Sequence, residues 1–387
     1  MAGASRHRIY MDHSATTPVD PRVVEAMRPY WSEVFGNTSS AHAWGQEAAA
    51  ALEKARETVA EVLGCRPSEV VFTGSGTEAD NLAIRGVAWA AHKAERGNHI
   101  VTIPIEHHAV SHTVEQLRDL FGFEATVVPV DEYGRVDPDD VRRAIRSDTI
   151  LVSVMTANNE VGTVQPIPEI GAICRERGIP LHTDAVQAAG RLDLNVDRLG
   201  VDLLSISAHK FYGPKGVGAL YVRRGVDLVP ALTGGGHERG RRPGTVDVAG
   251  AVGLAEALRL AEEMREQENA RLQALRDRLI EGVLESIPDA RLTGHPVDRL
   301  AHHASFAFRG VEGASVVVSL DLEGIGASSG AACAEGEPEP SAVLTAMGFP
   351  PEWAIGALRL TLGRANTEED VDIVLEVLPR IIAHLRR

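Results

Sequence analysis

Short runs rich in β-branched residues alternate with helical patterns through the N-terminal two-thirds of this chain, and that alternation constrains the fold more than any other feature. The runs fall at 69–73, 99–103, 125–130, 150–154, 179–183, 202–206 and 217–222, with helical patterns such as 77–91 and 167–177 between them. Strand, helix, strand at this spacing predicts an α/β fold built on a mainly parallel sheet with helices on both faces. Ligands of such sheets sit at the carboxyl ends of the strands, so residues just past each run carry the most weight.

From 251 to 287 the pattern becomes one long helix or a helix pair, with Leu254, Leu258, Leu272, Leu275, Leu279 and Val283 at apolar positions. Short strands are expected beyond it at 305–308 and 315–320, then a last helix capped by Thr367 with Asp370 three residues on. A chain of 387 residues exceeds what one core usually fills, so two domains are expected. Hydrophobic residues at 44% and charged ones at 24% describe a globular protein rather than a disordered or fibrous one. No apolar run reaches the ~18 residues of a membrane span, and the basic residues near Met1 lack an apolar stretch behind them, so no signal peptide is expected. A net charge of -15 argues against nucleic acid as a direct partner. Cys65, Cys174 and Cys333 are too few and too scattered for a disulfide framework, which suits a cytoplasmic chain.

Four of the 39 basic residues are lysine: Lys54, Lys93, Lys210 and Lys215. Arginine cannot form a Schiff base, so a lysine retained among so many arginines invites attention. Lys210 lies just past a strand, in Ser207-Ala208-His209-Lys210, with Ser207 and His209 placed to hold a phosphate. A second anion site is suggested by the glycine turn Gly74-Ser75-Gly76-Thr77, after a strand and opening a helix. By itself that turn equally fits a dinucleotide fingerprint or a plain helix cap, with Glu106 as a poor ribose partner. Asp184 closes another strand; it is either a helix cap or a carboxylate that keeps a heterocyclic nitrogen protonated. Phosphate anchor, strand-end aspartate and lysine together describe pyridoxal phosphate chemistry. Cys333 follows Ala327-Ser328-Ser329-Gly330-Ala331-Ala332 and precedes a Glu/Pro-rich stretch expected to form a mobile surface loop, which favours a nucleophile over a packed thiol. Cys65 and Cys174 fall on helical stretches, where a thiol is usually buried. His107, His108 and His112 raise the question of a metal, but no ligand set is completed by spacing, and none is expected.

In the order and wording of its motifs the chain resembles the cysteine desulfurase family of the NifS/IscS type, within the class V aminotransferase-like pyridoxal phosphate enzymes. The motifs are Tyr10-Met11-Asp12-His13-Ser14-Ala15-Thr16-Thr17-Pro18, Glu106-His107-His108, Ala157-Asn158-Asn159-Glu160-Val161-Gly162, Asp184-Ala185-Val186-Gln187, Ser207-Ala208-His209-Lys210, Gly234-Gly235-Gly236-His237-Glu238-Arg239-Gly240 and Ser328-Ser329-Gly330-Ala331-Ala332-Cys333. Three positions depart from the family's usual residues, at Ala208, Ala331 and Pro243, without removing a group the chemistry needs.

The resemblance implies an aspartate-aminotransferase-like large domain over 16–253, and a smaller α+β domain from 1–15 with 254–387 that carries the cysteine loop. By position, Lys210 matches the Schiff-base lysine, Asp184 the partner of the pyridinium nitrogen and Gln187 the ring-hydroxyl contact. His107 matches the histidine stacked on the ring, with an acid–base role. Gly76, Thr77, Ser207 and His209 match the phosphate cradle, and Thr245 a phosphate contact given to the other subunit of a homodimer. Asn159 and Arg359 match the residues holding the substrate carboxylate, and Cys333 the nucleophile. The implied reaction turns L-cysteine into L-alanine and leaves a persulfide on Cys333, for an acceptor in iron–sulfur assembly or tRNA or cofactor thiolation. Selenocysteine lyase or cysteine sulfinate desulfinase activity is the nearest alternative; a non-catalytic sulfur-relay partner is a more distant one.

Overall fold

The computed structural model describes residues 8–330, 333–334 and 337–387, with residues 333, 334, 337 and 338 described by their backbone alone. Its strands are β1 Ile9–Tyr10, β2 Val70–Thr73, β3 His99–Thr102, β4 Glu124–Val127, β5 Thr149–Ser153, β6 Leu181–Asp184, β7 Leu203–Ser207, β8 Gly218–Val222, β9 Ala290–Leu292, β10 His303–Phe308, β11 Ile325–Gly326, β12 Cys333–Ala334, β13 Glu337–Pro338 and β14 Ala357–Thr361. All seven runs anticipated in the N-terminal two-thirds are strands of one sheet, in the order β2-β8-β7-β6-β5-β3-β4. Its pairings are parallel except those of β8, which runs antiparallel to both β2 and β7.

The inner strands β3, β5, β6 and β7 are buried at every position. Burial on both faces is what a helix-covered parallel strand requires, and here it takes in polar residues as well, among them His182 and Asp184 of β6 and Ser205 of β7. The helix Gly76–Lys93 covers one face. It starts where Ser75 accepts from the Glu78 N–H at 3.1 Å, and it buries Ala79, Leu82, Ala83 and Val87.

One unbroken helix, Val248–Ser286, follows the sheet. Its Leu254 and Leu258 enter the core beneath the sheet, whereas Leu272, Leu279 and Val283 enter a second core with Met11, Phe306, Phe308, Leu358, Val371 and Leu378. That second core lies under the antiparallel sheet β14-β10-β9 and the helix Glu368–Leu385, where Thr367 and Asp370 form the anticipated capping box. A parallel pair, β1 with β11, brings the N-terminal segment to the same region.

The strand expected at 315–320 does not form. Those residues lie in the helix Gly313–Leu322. Val316 and Leu320, one turn apart, both reach the second core, and the Ser319 hydroxyl bonds back to the Ser315 carbonyl at 2.8 Å. Packing of that one face overrode the β-branched composition of the run. The loop expected after Cys333 falls partly on residues outside the described ones; within the described backbone, β12 pairs antiparallel with β13. Among the described residues no helix is long and apolar enough to cross a membrane.

Candidate cofactor and active site

At the carboxyl edge of the parallel strands a cavity of 320 Å³ is lined by Ser14, Ala15, Ser75, Gly76, Thr77, Asp80, His107, Met155, Asn159, Asp184, Val186, Gln187, Ser207, His209, Lys210 and Arg359. Every site residue picked out above lies there except Thr245 and Cys333. Thr245 is exposed and does not line the cavity. Its neighbour Arg242 is tied to the glycine turn, because Arg242 Nε donates to Glu78 at 2.7 Å while the Gly74 N–H donates to the same carboxylate at 2.7 Å. The side chain of Cys333 lies outside the described part of the structure.

Lys210 ends a short turn, Ala208–Lys210, directly after β7. Its Nζ donates to the carbonyls of Ser14 at 2.6 Å and Ala15 at 2.9 Å. Burial, with Arg359 nearby, lowers its pKa to about 8. An appreciable share is therefore neutral amine near neutral pH, the form that attacks a carbonyl.

Asp184, the last residue of β6, accepts from the Val186 N–H at 2.8 Å and is otherwise buried. Burial first, then the negative charge of Asp80, push its pKa up to about 7. A protonated ring nitrogen set against Asp184 would supply the missing cation and return it to its ionised form.

His107 caps the helix His108–Phe121, its Nδ1 accepting from the Ala109 N–H at 3.1 Å. That bond assigns the neutral ring's proton to Nε2, leaving a donor edge for the site. Desolvation lowers its pKa. Gly76 opens the helix Gly76–Lys93, and a Cβ there would stand 2.8 Å from Val186 Cγ2 and 3.1 Å from Ser207 Cβ. The helix N-terminus, with Ser207 and His209 beside it, forms a cradle for an anion. His209 bonds Thr16 Oγ1 at 3.1 Å, and burial holds its pKa down at about 4, which keeps the ring neutral.

Arg359, on β14, donates to the Asn159 carbonyl and to Asp12, each at 2.8 Å. Its Nε is buried with no hydrogen-bond partner among the described residues, which suits a carboxylate ligand. Gln187 donates to the Ser14 carbonyl at 3.0 Å.

Sequence reasoning missed Asp80, which lines the cavity, and named Glu106 only as a poor ribose partner, whereas it lies buried near Asp184, outside the cavity lining. Asp80 is 1% exposed, 3.5 Å from His182 Nε2, with its pKa raised to about 7 by burial. Glu106 accepts from the Met155 N–H at 2.7 Å, and burial raises it well above the usual carboxylate range. The available signal for Asp80 was an acid on the apolar face of the 76–93 helix. Glu238, in the glycine-rich motif, is structural: fully buried, it receives both arms of Arg56 at 2.7 Å and the Phe72 N–H at 2.8 Å. Among the described residues no three metal-ligating side chains gather; the His108 and His112 rings simply stack, 4.5 Å apart.

A lysine and an aspartate at neighbouring strand ends, above a glycine-opened helix that cradles an anion, define a fold-type I pyridoxal phosphate enzyme, and the residues present fit that cofactor. The class-V aminotransferase family model matches residues 9–374. Curated relatives include "Cysteine desulfurase IscS" of Methanosarcina thermophila, 53% identical over 98% of this chain and 93% of that one. The "IscS-like cysteine desulfurase" of Mycobacterium tuberculosis is 49% identical over 98% and 97%. Among solved structures, a "NifS-like protein" superposes with a TM-score of 0.91 at 40% identity, covering 98% of this chain and all of its own. "SspA in complex with cysteine" superposes with a TM-score of 0.80 at 36% identity, covering 92% and 98%. The chain belongs to the class-V aminotransferases and, within them, to the cysteine desulfurase family, whose cofactor is pyridoxal phosphate.

Proposed function

We propose that this enzyme converts L-cysteine to L-alanine and retains the sulfur as a persulfide on Cys333. The observation that carries the reading is the convergence of Lys210, Asp184, His107, Asn159 and Arg359 on one cavity. Pyridoxal phosphate bound there supplies an electron sink for the pair left when a bond at the substrate Cα breaks. The chain's own residues do the rest. The N–H groups of Gly76 and Thr77, with Ser207 and His209, hold the phosphate. Asp184 balances the ring nitrogen, Gln187 meets the ring hydroxyl and His107 covers a ring face. Lys210, its pKa lowered by burial, anchors the cofactor and, once displaced by substrate, takes a proton from Cα. Asn159 and Arg359 orient the substrate carboxylate. The Cys333 thiolate then attacks the substrate sulfur: an S–S bond forms, the substrate C–S bond breaks with its electron pair left on Cβ, and one proton added at Cβ and one returned to Cα complete alanine.

The same reading makes the protein a cytoplasmic homodimer in which Thr245 serves the cofactor of the second copy. It divides the chain into a large unit, 16–253, and a small one, 1–15 with 254–387; two separate cores support two units, although Leu254, Leu258, Val343, Leu344 and Trp353 pack in the core beneath the large sheet. It sends the sulfur to an acceptor protein, an iron–sulfur scaffold or a thiolation factor. The test is alanine release from cysteine by the holoenzyme and by Cys333→Ser. The parent should form alanine, and the variant almost none, since a serine oxygen cannot carry the sulfur as a persulfide. Alanine formed at the parental rate by Cys333→Ser would favour a lyase mechanism instead.

A further inference from the structure

We propose that Glu160 is a positioning residue that holds the two ends of the Cys333 segment together and ties them to the substrate-carboxylate site. The proposal rests on the reading of Cys333 as sulfur carrier. Its basis is the set of contacts around one carboxylate oxygen. Glu160 Oε2 accepts the Ser341 hydroxyl at 2.7 Å. Ser341 is 1% exposed and caps the helix Ala342–Ala346, which fixes the chain on the far side of the segment. On the near side, a Cβ built on Gly330 would stand 2.8 Å from that same Oε2. The carboxylate therefore occupies the space a side chain at 330 would need. Gly330 and Ser341, which precede and follow Cys333 in the sequence, thus both abut Glu160.

The other half of the link runs through Arg359. Ser328 and Arg359 exchange backbone hydrogen bonds, at 3.2 Å and 2.7 Å, so the approach to Gly330 is paired with the strand that carries the arginine. Arg359 Nη1 in turn donates to the carbonyl of Asn159, the residue before Glu160. Hydrogen bonds from Arg359 to Asn159 and between Ser328 and Arg359, chain continuity, and the close approach of Glu160 to Gly330 thus link these residues in a ring. Within it, the site of the substrate carboxylate and the start of the cysteine segment cannot shift independently. Desolvation raises the Glu160 carboxyl above its usual range, against the pull of Ser341 and Arg359.

The experiment compares Glu160→Ala, Glu160→Gln, Gly330→Ala and the double variant Glu160→Ala/Gly330→Ala, all as holoenzymes. Misplacing a reacting group by about 1 Å costs on the order of 10–100-fold, so kcat for alanine release should fall by that factor in Glu160→Ala. The cysteine concentration that half-saturates the cofactor's absorbance change should stay within about twofold, because ground-state binding is retained. The rate of Cys333 alkylation by iodoacetamide, read by mass spectrometry on its peptide, should change along with kcat. Glu160→Gln should recover most of both, since an amide oxygen still accepts the Ser341 hydroxyl. Gly330→Ala alone should impair turnover. In the double variant the new methyl meets vacated space, so the two effects should be clearly less than additive. Parental kcat in Glu160→Ala would overturn the proposal. So would a kcat loss that only tracks lost cofactor absorbance with Cys333 alkylation unchanged, or strict additivity in the double variant. Failure of the sulfur-carrier reading is seen separately, as alanine release by Cys333→Ser.

Discussion

The Nζ of Lys210 lies 2.6 Å from the carbonyl oxygen of Ser14, a contact between residues 196 apart in sequence. Two forces act on that amine in opposite directions. Burial, with the charge of Arg359, favours the neutral amine, while the carboxylates of Asp184 and Asp12 favour the ammonium; burial prevails, and the pKa falls to about 8. Through the Ser14 and Ala15 carbonyls the N-terminal segment holds the Lys210 amine at the edge of a mainly parallel sheet to which that segment does not itself belong.

Replacing that lysine should remove the cofactor's anchor. Lys210→Ala is expected to lose the yellow colour on dialysis and to release no measurable alanine, while keeping a native circular dichroism spectrum. Lys215→Ala should do neither. Absorbance after dialysis decides it, and a Lys210→Ala protein that stayed yellow and turned over cysteine would disprove the assignment.

Gly76→Ala tests the cradle. The added methyl meets Val186 Cγ2 at 2.8 Å and Ser207 Cβ at 3.1 Å, inside normal contact. Overpacking of this kind costs about 1–3 kcal/mol, so cofactor affinity should weaken by about tenfold or more. Titration of the cofactor-depleted variant with pyridoxal phosphate measures it; unchanged affinity would mean the helix start is not the phosphate site.

Asp80 predicts a pH effect on stability. In the cofactor-free protein its folded pKa, about 7, lies above its ordinary 3.8. Between those values the folded state binds more protons than the unfolded, so stability falls as pH rises through that interval. Asp80→Asn cannot ionise and escapes the loss. Its gain in Tm over the parent, measured by calorimetry on cofactor-depleted protein, should be larger at pH 8 than at pH 5. An equal gain at both would show that Asp80 is not the group responsible.

Sulfur should load on one cysteine. Burial pushes the thiols of Cys65 and Cys174 up to about 12, leaving them protonated and inert. Mass spectrometry after incubation with cysteine and no reductant should find an adduct of about 32 Da on the Cys333 peptide alone. An adduct on Cys65 or Cys174 with Cys333 unmodified would refute the proposed carrier.

Light scattering at assay concentration should give twice the chain mass, because Thr245 is exposed and absent from the cavity of its own chain. A fully active monomer would remove Thr245 from the cofactor site.

The strands of the large sheet were legible because β-branched and apolar residues cluster in short runs there, even though β6 reads Leu-His-Thr-Asp and β4 is half-exposed. The stretch 315–320 shows the limit of that logic. Three consecutive valines satisfy strand propensity, yet the run is helical because Val316 and Leu320 had a core to fill one turn apart.

By itself the sequence determined the alternating strands and helices, the capping box at Thr367, and the residue types at strand ends from which lysine, aspartate and phosphate cradle could be named. Those are local matters: burial sets the pattern within a strand, and a cap or a glycine turn acts within four residues. Only the tertiary structure decided that Asp80 and Glu106 lie buried around Asp184, that Ser14 and Ala15 receive Lys210, and that Glu160 meets both Gly330 and Ser341. Each of these depends on how a side chain is desolvated by residues distant in sequence, and desolvation is a property of the packed fold that no local spacing records.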